Sequence, residues 1–354
     1  MSTALTFIKK GHDDFIDFVK AYAIICVLIG HTFTPFLDKI GYGVWAGMQV
    51  PLFILIQTFH SYKKEKITFS IKKVWRRVLV PFFVIEIITS TFVFLCGFCE
   101  FKYLIHKMLS GGGYGPGSYY PWIYLQISLL LPLFAIALQR YSKIESFFIF
   151  LTICESFEIL FSFAKLPDSI YRLLTVRYIF LIWLGWQWAK EGIKLNITTV
   201  ILSIVSLISI IYFEYLSLDD EPWFYNTVWK YHRWPCYFFV ANLFMLILHK
   251  LWLYINRHAF ISKLVAKIAA CSYEIFLIQM MVLFILKESK LYLINRGTLI
   301  DATYFLYIIF VWIISIIGGY LLNTFVNSKF KRYRLRLCEA DMKLDVGTLG
   351  MSNV

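Results

Sequence analysis

Apolar residues in this chain come in long unbroken runs, not at the three-to-four-residue spacing of a soluble amphipathic helix. Ten runs stand out, near 15–36, 43–60, 78–98, 119–138, 146–164, 173–189, 196–213, 234–254, 265–286 and 302–322. About 20 residues at 1.5 Å each cross a hydrocarbon core roughly 30 Å thick, so each run predicts a membrane-spanning helix. The pattern therefore predicts an all-α, polytopic integral membrane protein of about ten transmembrane helices. It forms a single domain over 1–354, with spans over about 15–322 and a basic tail over 323–354 that is too short for a second catalytic unit. The first run is too long for a cleavable signal, follows Asp13, Asp14 and Asp17, and precedes no small-residue cleavage site. It is expected to stay as a helix.

The segments between the runs carry the polar signals. KKEKITFSIKKVWRR at 63–77 is the densest cluster of cations, and KFKRYRLRL at 329–337 follows the last run. With the N-terminus on the cytoplasmic side, roughly 23 of the 35 basic residues fall inside, as the orientation rule for Lys and Arg in short loops requires. Both termini are then cytoplasmic. The formal charge of +13 is thus read as a topology signal and an attraction for lipid headgroups, and no nucleic-acid partner is expected. SGGGYGPGSYYPW near 110–122 is rich in glycine, which permits close backbone approach. The segment 214–235 combines Asp219, Asp220 and Glu221 with Trp223, Trp229 and Trp234; it suits either an interfacial aromatic belt or a sugar-binding face. Composition agrees with a membrane class: 59 % hydrophobic, 16 % charged, mean hydropathy +0.67. Cys96 and Cys99 form a CGFC pair, but no metal site is expected, because zinc would need two further ligands at suitable spacing.

Ionisable residues inside membrane spans are costly unless paired or hydrated, and so mark candidate sites. Here they are Lys20, His31, Glu86, Glu155, Glu158, Arg177 and Glu274. Several can serve as structural partners of one another, such as a glutamate neutralising Arg177. Lys20 and His31 stand out by register. Eleven residues at about 100° each place both on one helix face, about 16 Å apart along the axis. Asp17, one turn before Lys20, can pair with it and orient it. A snorkelling lysine and a histidine bonded to a neighbouring helix would also account for the two.

The stretch DFVKAYAIICVLIGH resembles the first-span signature of the acyltransferase 3 family of integral membrane acyltransferases. Asp17 matches its aspartate and His31 its histidine, and Lys20 stands where arginine is usual. VPLFILIQTF at 50–59 is similar to the second span, with Gln57 and Thr58 in place of Ser-Gly. RRVLVPFF at 76–83, YYPWIYLQ at 119–126, VRYIFLIWLGW at 176–186 and SYEIFLIQM at 272–280 resemble later signatures in the same order.

The resemblance implies transfer of an acyl group, usually acetyl, from cytoplasmic acyl-CoA to a hydroxyl of a cell-envelope glycan or lipid-linked saccharide. This would take place in a bacterial cytoplasmic membrane, alongside glycan-biosynthesis enzymes. On this reading acyl-CoA is the donor and no metal takes part. His31 is the candidate catalytic residue, as general base or through an acyl-imidazole. Lys20, Lys72, Lys73, Arg76 and Arg77 are candidates for the donor phosphates. Tyr119, Tyr120, Gln126 and Arg177 are candidates for the oxyanion or the acceptor. The competing class is a polysaccharide or small-molecule transporter, against which no inverted repeat is visible.

Overall fold

The computed structural model describes residues 3–5, 13–33, 42–45, 49–64, 67–166, 168–171, 173–211, 237–291 and 302–349. The aromatic and acidic segment 214–235 lies outside them, as do the side chains from residue 327 onward. Each of the ten apolar runs carries helix. The helices are α1 (Asp14–Thr32), α2 (Gln49–Tyr62), α3 (Ile71–Leu95), α4 (Phe101–Gly111), α5 (Tyr120–Arg140) and α6 (Lys143–Phe163). They continue with α7 (Ile179–Glu191), α8 (Ile197–Ile211), α9 (Tyr237–Ile255), α10 (Ala259–Ala270), α11 (Ser272–Glu288) and α12 (Ala302–Leu349). The sole departure from an all-α fold among the described residues is a short antiparallel ladder, β1 (Thr3–Leu5) against β2 (Ile193–Leu195).

Among the described residues five helices are long and apolar enough to cross a membrane on their own: α1, α3, α5, α9 and the Thr303–Val326 part of α12. A sixth arises if α10 and α11, which meet at a 66° bend, count as one span. Three of the remaining runs carry helices shorter than that standard. The helix of the second run has 14 residues and that of the sixth 13, and α8 is apolar but only 15 residues long.

The buried centre is organised around α1. Asp13 caps its start, accepting from the backbone N–H of Ile16 at 3.4 Å. Twelve residues of this one helix are buried, an all-round burial that fits a helix enclosed by others. It packs on α2, α10 and α11. Its far end is fixed through Thr32, whose hydroxyl bonds the Leu28 carbonyl and accepts from Trp312 Nε1 at 3.0 Å. The Thr32 carbonyl accepts from the Tyr304 hydroxyl. Two bonds from α12 thus hold the last turn of α1, supplying donors that a helix C-terminus lacks by itself.

Between α2 and α7 the fit depends on one missing side chain. A methyl at Gly185 would overlap Thr58 Oγ1 and come within 2.7 Å of Thr58 Cβ. Thr58, found where the resemblance leads one to expect glycine, is accommodated by a glycine on the opposite helix.

The glycine-rich loop after α4 folds inward. Gly113, Gly115 and Gly117 all have positive φ, and side chains there would strike Glu86 and Phe82, the Met280 carbonyl, and Phe276 respectively. The buried Glu86 carboxylate accepts the Tyr114 N–H at 2.8 Å, and Trp122 Nε1 donates to the Gly112 carbonyl at 2.7 Å. One span glutamate is therefore an anchor for this loop.

Candidate active site

A cavity of 970 Å³ opens among α1, α2, α3, α5, the α10–α11 bend and α12. One end of its wall is cationic: Lys20 from α1, Lys64 after α2, and Lys72, Lys73, Arg76 and Arg77 from α3. Farther along, Gln57, Tyr120, Tyr124, Phe53 and Phe276 form the wall, and Val27 of α1 contributes to it as well. Among the lining residues Glu274 is the one carboxylate.

Local sequence explains how these cations converge. Ser70 caps α3 by accepting from Lys73 N, so the helix begins just before the lysines. Within α3 the stretch Trp75–Leu79 is a π turn. Pro81 follows it, a residue that offers no N–H and whose ring crowds the carbonyl four residues back. Widening the turn relieves that crowding, and it re-aims consecutive residues, so that Arg76 and Arg77 both line the cavity. Tyr273 at the start of α11 donates to the Val78 carbonyl at 2.8 Å, tying the bend to this turn.

Asp17 and Lys20 meet as the register predicts, with 3.0 Å between Oδ1 and Nζ. The lysine retains partial exposure toward the cavity. Lys20, Val27 and His31 share one face of α1, since seven and eleven residues are both close to whole numbers of turns. The cavity reaches Val27 on that face but His31 is not part of its wall. The histidine sits one turn farther, about 6 Å along the axis, partly exposed and beside the tethered Thr32.

The sequence-predicted residues thus divide. Lys20, Lys72, Lys73, Arg76, Arg77 and Tyr120 come together in the cavity wall; His31, Tyr119, Gln126 and Arg177 do not. Gln126 hydrogen-bonds the backbone at both ends of its amide, donating to the Leu173 carbonyl at 2.6 Å and accepting from Thr175 N at 3.0 Å. It fixes the approach to the 3₁₀ turn Thr175–Tyr178 that carries Arg177. No carboxylate pairs with Arg177 among the described residues. Its side chain lies over the Tyr178 ring, 5.8 Å from the centroid, with Nε buried and unbonded. Glu158, also buried, bonds the Tyr171 hydroxyl.

Sequence reasoning missed Gln57, His60 and Ser61, which line the cavity from a single stripe of α2, and Lys64, which lines it just beyond the end of that helix. The spacing of three and four residues from Gln57 to His60 and Ser61 was a readable signal of one helix face. It was masked because the apolar run ends near residue 60 and the residues beyond it look like loop.

Six cations in the wall of one cavity make it electropositive and favour an anionic ligand group there. The profile of the acyltransferase domain of the acyltransferase 3 family matches residues 13–324. The chain belongs to this family and is a membrane acyltransferase. Comparison with curated proteins and with solved structures gives no significant match.

Proposed function

We propose that this acyltransferase moves an acyl group, most simply acetyl, from cytoplasmic acyl-CoA to a hydroxyl of a cell-envelope glycan or lipid-linked saccharide in a bacterial cytoplasmic membrane. The observation that carries the reading is the cavity. Its cations gather at one end, and its wall follows the face of α1 on which His31 lies. In this reading ten spans cross the membrane and both termini are cytoplasmic. Lys20, Lys64, Lys72, Lys73, Arg76 and Arg77 hold the donor phosphates at the inner surface, and the thin arm runs past Gln57 and Tyr120 toward the far end of α1. Opposite charge and close approach in a wall of low dielectric strengthen such contacts.

His31 then acts as general base. It takes the proton of the acceptor hydroxyl while that oxygen attacks the thioester carbonyl. The tetrahedral oxyanion collapses by breaking the carbon–sulfur bond, and the departing thiolate takes the proton back from the imidazolium. Tyr119, Tyr120 and Arg177 are the remaining candidates to stabilise the oxyanion or grip an anionic acceptor. Among these Tyr120 has the support of lining the cavity.

A second histidine needs weighing, because His60 does line the cavity. Its charged neighbours are Lys20, Lys63, Lys64 and Asp17, which puts it with the phosphates and away from the thioester. The test is transfer of labelled acetyl from acetyl-CoA into glycan by membranes carrying each variant. His31→Ala should abolish transfer while the protein remains inserted, and His60→Ala should alter the Michaelis constant alone. Full activity in His31→Ala, or loss of turnover only in His60→Ala, would overturn the assignment.

A further inference from the structure

Gln57 lines the cavity from α2 while only 9 % exposed, and the orientation of its amide is decided by its partners. Nε2 lies 3.1 Å from the Tyr124 carbonyl and 3.0 Å from Ser128 Oγ. A carbonyl can only accept, so the nitrogen must face it; exchanging nitrogen and oxygen would oppose two acceptors. Ser128 gives its own proton to the same Tyr124 carbonyl at 2.8 Å, so it receives one from Gln57. Both amide protons are committed, and Oε1 is left buried without a donor.

Native interiors rarely leave such an oxygen unpaired, because its lost hydration is not repaid. Here the unpaired acceptor belongs to a residue of the cavity wall. Gln57 lines the cavity from the last turns of α2, and Lys64 lines it just past the end of that helix. A ligand whose anionic head rests among the cations therefore passes Gln57 farther along its length. An arm with an amide N–H a few bonds beyond its phosphates can supply the missing donor. A hydrocarbon arm, as in a lipid phosphate, would leave the oxygen orphaned.

We propose that Gln57 is a specificity-determining residue that accepts a hydrogen bond from an amide N–H on the arm of the donor, selecting a pantetheine-type arm over a hydrocarbon one. The proposal rests on the acyl-CoA reading above. Its test separates the two by comparing acetyl-CoA with adenosine 3′,5′-bisphosphate, which carries phosphates but no amide arm. Gln57→Leu and Gln57→Met each remove the acceptor, and the Tyr124 carbonyl keeps its bond from Ser128. Binding to the purified full chain in lipid nanodiscs should weaken about 5- to 15-fold for acetyl-CoA, the equivalent of one neutral hydrogen bond. Binding of the bisphosphate should stay within twofold.

Unchanged acetyl-CoA affinity in both variants would overturn the role of Gln57 and leave the donor reading standing. Equal weakening of both ligands would also overturn it, by showing that Gln57 shapes the cavity as a whole. If the wild-type chain binds neither ligand, the donor reading fails and the role of Gln57 fails with it.

Discussion

The α2–α7 contact offers the sharpest mechanical prediction, because Gly185 and Thr58 occupy the same space. A Cβ at Gly185 would overlap Thr58 Oγ1, lie 2.7 Å from Thr58 Cβ and stand 3.1 Å from Phe59 N. Ordinary contact begins at 3.4 Å, so even against Thr58 Cβ the helices must part by about 0.7 Å. Thr58 cannot swing away freely, since its hydroxyl is held by the Leu55 carbonyl at 2.9 Å, and Phe59 N is backbone. Overpacking of this kind costs about 1–3 kcal/mol, and Gly185→Ala is expected at the upper end. Thr58→Gly removes both the oxygen and the Cβ, at a cost of its own of about 1 kcal/mol for glycine within a helix. In the double variant the clash is largely relieved, so the two effects should fall short of additivity by about 1–2 kcal/mol.

Reversible unfolding of the four proteins in mixed micelles, followed by tryptophan fluorescence, measures that coupling. Because α2 carries Gln57, His60 and Ser61 into the cavity wall, Gly185→Ala should also raise the Michaelis constant for the donor, with partial recovery in the double variant. Wild-type stability in Gly185→Ala, or strict additivity in the cycle, would refute the packing argument.

Other consequences can be checked separately. Arg76→Ala and Arg77→Ala should each raise the Michaelis constant for the acyl donor about 3- to 30-fold, with the penalty shrinking at high salt; a salt-independent effect would show that the residues act through the fold. Glu86→Leu strips the Tyr114 N–H of its acceptor and should cost about 1–3 kcal/mol, whereas Glu86→Gln keeps an acceptor and should cost less; melting curves distinguish them. Burial, reinforced by the hydrogen bond to Glu288, pushes the Cys99 thiol up to about 12. Since the thiolate is the nucleophile, alkylation of Cys99 in a Cys96→Ser background should be slow at neutral pH and still rising above pH 10. Glu288→Gln should move that rise to lower pH. Rapid labelling at pH 7 would contradict the partly buried, protonated thiol.

Much of this was legible along the chain. Apolar runs near twenty residues determine a polytopic helical protein, because lipid leaves the backbone no partner outside its own helix. The register of Asp17, Lys20 and His31 follows from helical geometry alone, and the 3.0 Å contact of the first two agrees with it. The ordered signatures from residue 15 onward gave the family, and the match over 13–324 agrees. Tertiary structure decided what lies between those helices. Only the fold could show that α2 turns Gln57, His60 and Ser61 toward the cavity that Lys20 of α1 also lines. It also showed that a π turn before Pro81 brings both arginines to the same wall, and that Gly185 makes room for Thr58. Helical periodicity fixes which residues share a face, but the neighbour that face meets depends on how the other helices pack, and that is settled by side-chain volumes and hydrogen bonds across distant parts of the chain.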